Sequence, residues 1–307
     1  MYYNMLNVVQ CTAFLDFITN NTNMSGMSKQ EVSSRNALKL IVIALSIYII
    51  WVAATYILEG RIHLFQKVDP IGRMTYVVIA NIAIGTVLSA IAIRYLLKAH
   101  LVKPEQLGLS KSRLRTAAII ASAAAGGLAL FMLQNPRTLE PIVVFNAFMQ
   151  VLPVSIAEVM VCWALIGSSF ESLAKNNNNN TKGRIVSSVL VGAIAASVLF
   201  GVYHYAHSPP FNQTSIVLFL MLPSIATAVT YFLGRDIYAA VIVQNFMGVV
   251  GVMAGLPNLE EYRQPMVPIY ALSAVSVAAL VIPVSVMLKK TEKGIKNSKQ
   301  RAVRDKD

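Results

Sequence analysis

Five polar side chains sit inside stretches otherwise fit for a membrane, and their types suit hydrolysis. Glu158 lies in Gln150–Glu171, QVLPVSIAEVMVCWALIGSSFE, near the middle of an apolar run. An ionised carboxylate at a membrane-helix centre costs about 2.5–3.5 kcal/mol, so such a group faces the bundle interior and gains a partner. Burial disfavours the charged form of a carboxyl, and an acid that exchanges its proton near neutrality suits a general base. The plainer reading is a protonated acid bonded to a neighbouring helix. The other acidic residues of the 14 fall in loops, tails or segment ends. His204 and His207, in FGVYHYAHSPP, are three apart and share a helix face. His204 lies deeper, whereas His207, beside Pro209, reads as an interfacial ring. Gln244 and Asn245 sit in the seventh apolar run. A buried amide there either ties two helices or holds a carbonyl oxygen as charge develops on it. Gln244, Gly248, Gly251 and Gly255 recur at helical spacing, and small residues in such a stripe let helices pack closely.

The elements that must position these groups are membrane helices. The 307 residues are 56% hydrophobic and 13% charged, with mean hydropathy +0.59, whereas a soluble domain carries about 25% charge. Apolar runs long enough to cross a bilayer number eight: Lys39–Leu58, Met74–Leu97, Thr116–Leu133, Leu152–Leu173, Ile185–His207, Thr214–Leu233, Asp236–Gly255 and Val267–Leu288. The fold class is therefore all-α, a polytopic transmembrane bundle. Residues 1–36 read as a loose tail without the basic start of a signal peptide, 37–288 as the bundle, and 289–307 as a basic tail. Pro141–Met149 is apolar enough to extend the fourth helix, where Pro153 predicts a kink or restart. Lys103–Ser110 reads as an interfacial turn, and Asn176–Asn180 as a loop without packing instructions. No internal repeat appears, which argues against an inverted-repeat transporter.

The net charge of +12 is largely local. With both termini in the cytoplasm, 20 Lys and Arg fall inside and 5 outside, the bias that sets orientation. A basic run directly after a membrane helix also contacts anionic headgroups. No aromatic-rich soluble domain accompanies the charge, so nucleic acid is excluded as a partner and the lipid bilayer is the expected one. CxxC and HExxH are absent, and Cys162 reads as a small buried apolar residue. Counted from the outer ends of these segments, Glu158 and His204 agree in depth within about one turn at ~1.5 Å per residue. A Glu158–His204 pair in the outer half of the bilayer is the expectation.

Glu on the fourth helix, His on the fifth and amides on the seventh give an order that resembles the CAAX prenyl protease and bacteriocin-processing (CPBP) family of intramembrane proteases, over about 150–251. That family carries EExxxR, FxxxH and HxxxN on a bundle commonly of eight helices. Phe200–His204 matches the middle motif. Ala157-Glu158 stands at Glu-Glu, with Cys162 at the arginine. Gln244 and Gly248 take the positions of the last histidine and asparagine, and Asn245 is out of register. The resemblance implies peptide-bond hydrolysis within the membrane, on a peptide or prenylated protein substrate. In that scheme Glu158 deprotonates water, His204 assists, and Gln244 and Asn245 steady the oxyanion. Zinc takes three protein ligands even in open catalytic sites, so a metal here would need Glu158, His204 and His207 together. A CAAX substrate arrives from the cytosol, whereas the topology sets the pair in the outer half. Two alternatives stay open: a catalytically silent relative that escorts a membrane partner, and a small proton-coupled transporter.

Overall fold

The computed structural model describes residues 29–64, 70–109, 113–176, 182–255 and 258–304. Most of the N-terminal tail, Ser110, most of the Asn tract and Lys306 lie outside the described residues. The protein is an all-α membrane bundle, and no strand occurs among the described residues. Its spans are α1 Arg35–Arg61, α2 Gly72–Lys98, α3 Leu114–Leu133, α4 Pro141–Lys175, α5 Val186–Ala206, α6 Thr214–Gly234, α7 Ile237–Gly255 and α8 Val267–Lys289. They are helical for a simple reason: hydrocarbon offers no partner to a backbone N–H or C=O, so each segment must satisfy its own. The bundle's outer face is apolar, with Leu114, Leu133, Val186 and Leu233 turned outward to contact lipid.

The helix around α1 begins at Lys29, inside the stretch expected to be loose tail, and the helix around α8 continues to Arg304. The fourth span differs most. It covers 35 residues from Pro141, with 89% of its core window buried, against 17% for α3. α4 is therefore the axis around which the others pack. The helix runs through Pro153 without restarting. Proline has no N–H for the carbonyl one turn back. That carbonyl, on Met149, accepts the Ser273 hydroxyl of α8 at 2.5 Å. Ser273→Ala strands this carbonyl in the membrane core. A loss of about 1–3 kcal/mol, read as a lower melting temperature in detergent, is the expected result.

Helical geometry changes within three of the spans. α4 turns π-helical directly after Glu158, over Val159–Gly167. α2 is π-helical over Val77–Leu88 and α1 over Tyr56–Arg61. Such i→i+5 segments often mark functional sites. α6 is broken at Pro223 into Thr214–Met221 and Ser224–Gly234.

Polar ties close both ends of the bundle. At the end holding the α2–α3 connection, Pro104–Leu107 forms a 3-10 turn and Gly108 takes φ +69. The Gln106 carbonyl accepts hydroxyls from Ser168 (2.7 Å) and Tyr231 (3.1 Å), and the Gly108 carbonyl accepts Ile237 N–H (3.0 Å). A Cβ on Gly108 would sit 2.9 Å from the Tyr231 ring, so both the left-handed backbone and the close approach call for glycine. Beside it Arg235 clamps Glu171 with two hydrogen bonds of 2.7 and 2.5 Å, and Asp236 caps α7 through Ala239 N–H. At the opposite end the α7–α8 connection is strapped to α4. Asn146 donates to the carbonyls of Tyr262 (2.7 Å) and Gln264 (2.9 Å), the Tyr262 hydroxyl donates to Gln150, and Arg73 pairs with Glu261 (2.5 Å). Glu171 and Glu59 fall at segment ends as the sequence suggested, yet both are buried. Glu158 is thus not the single acid with a burial problem.

Candidate active site

A cavity of about 540 Å³ lies among α2, α4, α5, α6 and α7, with Gln134 reaching it from just beyond α3. Val151, Val154, Phe200, Phe219 and Met247 form much of its wall, and Glu158, His204, His207 and Gln244 are its polar groups together with Tyr76, Gln134 and Ser224. Glu158 projects from midway along α4 and is nearly fully buried. Gln244 Nε2 donates to Glu158 Oε2 at 2.8 Å, and Thr227 Oγ donates to Gln244 Oε1 at 2.7 Å. The Thr227 hydroxyl fixes which end of the amide faces the acid, and a second N–H of Gln244 remains for another acceptor.

His204 closes α5. Its Nδ1 meets the Phe200 carbonyl at 2.8 Å. A carbonyl only accepts, so Nδ1 carries the proton and Nε2 of the neutral ring keeps a lone pair. Phe200 and Tyr203 pack edge-on to the ring, and His207 lies nearly parallel to it with centroids 5.3 Å apart. The residue count that set Glu158 and His204 level does not hold once α4 starts at Pro141, but both line the cavity. Next to them Tyr203 stacks on Trp51 at 3.9 Å, and Trp51 Nε1 and Ala157 both abut Gly85. Among the described residues no hydrogen bond joins Glu158 to His204 directly.

His207 departs from the expectation of an interfacial ring. It lines the cavity, its Nε2 is buried, and Tyr203 (4.8 Å), Phe211 (6.3 Å) and Tyr76 (6.4 Å) pack edge-on against it. Asn245 is turned from the cavity. Its amide donates to the Phe148 carbonyl (3.1 Å) and accepts from Ser155 (3.2 Å), so it ties α7 to α4. It is not among the residues that line the cavity. Ala157 faces Gly85 and Trp51, and Cys162 is buried in the core, so neither adds a polar group to the cavity. The α7 glycines divide. Gly248 packs on Val151 and Gly255 on Phe211, as a small-residue stripe should, but a Cβ on Gly251 would meet nothing within 4 Å. Gly251 borders open cavity.

A zinc centre on Glu158, His204 and His207 does not fit. Among the described residues no three His, Cys, Asp or Glu side chains are grouped to hold a metal ion.

Four residues escaped the sequence reading. Thr227 carries no signal, because its role exists only through Gln244. Tyr76 and Tyr203, whose hydroxyls lie 3.3 Å apart, look like ordinary aromatic content. Glu59 had a signal: Trp51, Thr55 and Glu59 recur every four residues, which puts one polar stripe on α1. Compared with protein families, curated proteins and solved structures, the chain matches none.

Proposed function

We propose that this protein is an intramembrane hydrolase of the CPBP type that cleaves a peptide bond with water activated by Glu158. One observation carries the reading: an acid, a histidine with an available Nε2 and a fixed amide, from three different helices, line one cavity in the membrane core. The resemblance over 150–251 points the same way.

The chemistry follows from those groups. Glu158 takes a proton from water as the oxygen bonds to the scissile carbonyl carbon. Charge builds on the carbonyl oxygen, and the second N–H of Gln244 donates to it. His204 Nε2 accepts from the same water and orients it. The C–N bond then breaks, and the proton on Glu158 passes to the leaving amine. Gln244 thereby holds the base and serves the oxyanion. Asn245 takes no part. The termini lie in the cytoplasm on the Lys/Arg bias, and the substrate is an apolar peptide or lipid-modified peptide, matching the cavity wall.

The test is cleavage of hydrophobic peptides by the protein in nanodiscs, with products identified by mass spectrometry. Gly251→Leu extends a side chain into open cavity without a clash at Cβ. It should lower kcat/KM by about 10²-fold, the scale of a misplaced substrate, with an unchanged melting temperature. Equal activity in this variant removes the cavity from the reaction. A second reading, capture of a membrane partner without chemistry, is favoured by the sparse oxyanion donors, one Gln244 N–H with Asn245 turned away. It predicts ligand retention, blocked by Gly251→Leu, with no product under any condition.

A further inference from the structure

Beyond the cavity, on the far side of Tyr76 and Tyr203, lies a second group of buried polar side chains. Trp51, Thr55 and Glu59 face it from α1, and Asn81 from α2. Thr55 and Asn81 are wholly buried. Thr55 Oγ1, both amide atoms of Asn81, and Trp51 Nε1 make no hydrogen bond among the described residues. Thr55 lies beside the Tyr203 hydroxyl, and Asn81 beside that of Tyr76, without completing hydrogen bonds to them. The two hydroxyls meet at 3.3 Å. Gly85 lets Ala157 and the Trp51 indole N–H pack against the α2 backbone: a Cβ there would sit 2.4 Å from the Ala157 Cβ and 3.1 Å from Trp51 Nε1. Glu59 accepts the Ser208 hydroxyl at one end of the group, and at the other Tyr76 is part of the cavity wall beside His207, whose Nε2 also lacks a partner among the described residues.

Buried polar atoms are almost always satisfied, by protein or by ordered water. The mixture of types selects the ligand. Trp51 Nε1 and Asn81 Nδ2 only donate, Asn81 Oδ1 only accepts, and Thr55 does both. A metal cation would satisfy the acceptors and be repelled by the donors. Water serves both, and holds its place with two to four polar partners.

We propose that Trp51, Thr55 and Asn81, with the hydroxyls of Tyr76 and Tyr203, hold an internal water cluster that connects Glu59 to the Glu158 cavity. Intramembrane hydrolysis consumes water beside an apolar substrate, and this cluster places water against the cavity wall at Tyr76. That supply role rests on the hydrolase reading, whereas the water cluster does not.

Radiolytic hydroxyl-radical footprinting tests it, because radicals formed from bound water oxidise adjacent side chains even where bulk solvent is excluded. Tyr231 is fully buried, its hydroxyl is bonded to the Gln106 carbonyl and to Ser168, and it serves as the internal reference. In full-length protein in nanodiscs, Trp51 and Tyr203 should be oxidised well above Tyr231. Thr55→Val with Asn81→Leu should bring Trp51 down to the Tyr231 level, while Asn81→Ser keeps it high. Wild-type Trp51 labelled no more than Tyr231 overturns the cluster, and that comparison needs no variant to fold. Strong Trp51 labelling in a protein that cleaves no peptide would leave the cluster standing and remove the hydrolase reading instead.

Discussion

Glu158→Gln should abolish peptide cleavage while leaving the fold intact. The substitution is isosteric, and the new amide oxygen still accepts from Gln244 Nε2, now at 2.8 Å from the carboxylate. What disappears is the capacity to take a proton from water. Positioned general bases contribute about 10²–10⁴-fold, and among the described residues no second carboxylate lines the cavity to replace this one. His204→Ala should act on the same step with a smaller loss, because the imidazole assists the water that Glu158 deprotonates. Turnover of a hydrophobic peptide in nanodiscs, read beside the melting temperature, separates chemistry from folding. Unchanged turnover in Glu158→Gln ends the proposal that this acid is the base. Thr227→Val should give a milder defect through Gln244: the amide loses its anchor, and kcat falls more than KM rises.

Arg235→Ala should cause the largest loss of stability in the bundle. Its guanidinium holds both Glu171 oxygens. The Glu171 side chain is 5% exposed and that of Arg235 23%. Removing one member of a buried pair costs about 3–5 kcal/mol, because the other charge stays buried without compensation. The partial exposure of Arg235 places the expectation near the lower bound. The double variant Arg235→Met/Glu171→Leu should recover most of the loss, since an apolar pair of similar volume is often neutral. Thermal unfolding of the two variants in detergent decides the matter. A single variant as stable as wild type would mean that the pair contributes nothing net, as exposed ion pairs often do.

The fold was legible because the solvent leaves little choice. An apolar segment of about 20 residues in hydrocarbon satisfies its backbone only as a helix, so the eight runs became eight spans with ends shifted by a few residues. The fourth was the exception. Proline 153 looked like a boundary, and its lost hydrogen bond is instead taken up by Ser273, more than a hundred residues away. Nothing in the local pattern could announce that partner. Glu59 and Glu171 were discounted for the same kind of reason: position at a segment end normally means access to headgroups, but Ser208 and Arg235 cover them.

By itself the sequence determined that this is a helical membrane protein, and that an acid in its fourth span, a histidine closing its fifth and an amide in its seventh stand out from their surroundings. Tertiary structure alone decided that Gln244 rather than Asn245 meets Glu158, that His207 joins His204 at the cavity, that Gly251 opens space while Gly248 fills it, and that no metal set forms among the described residues. The division has a physical cause. Hydropathy fixes that a helix forms and how far it runs, whereas the rotation of each helix about its own axis is set by side chains fitting against helices distant in the chain, and neighbouring residues on one turn point some 100° apart.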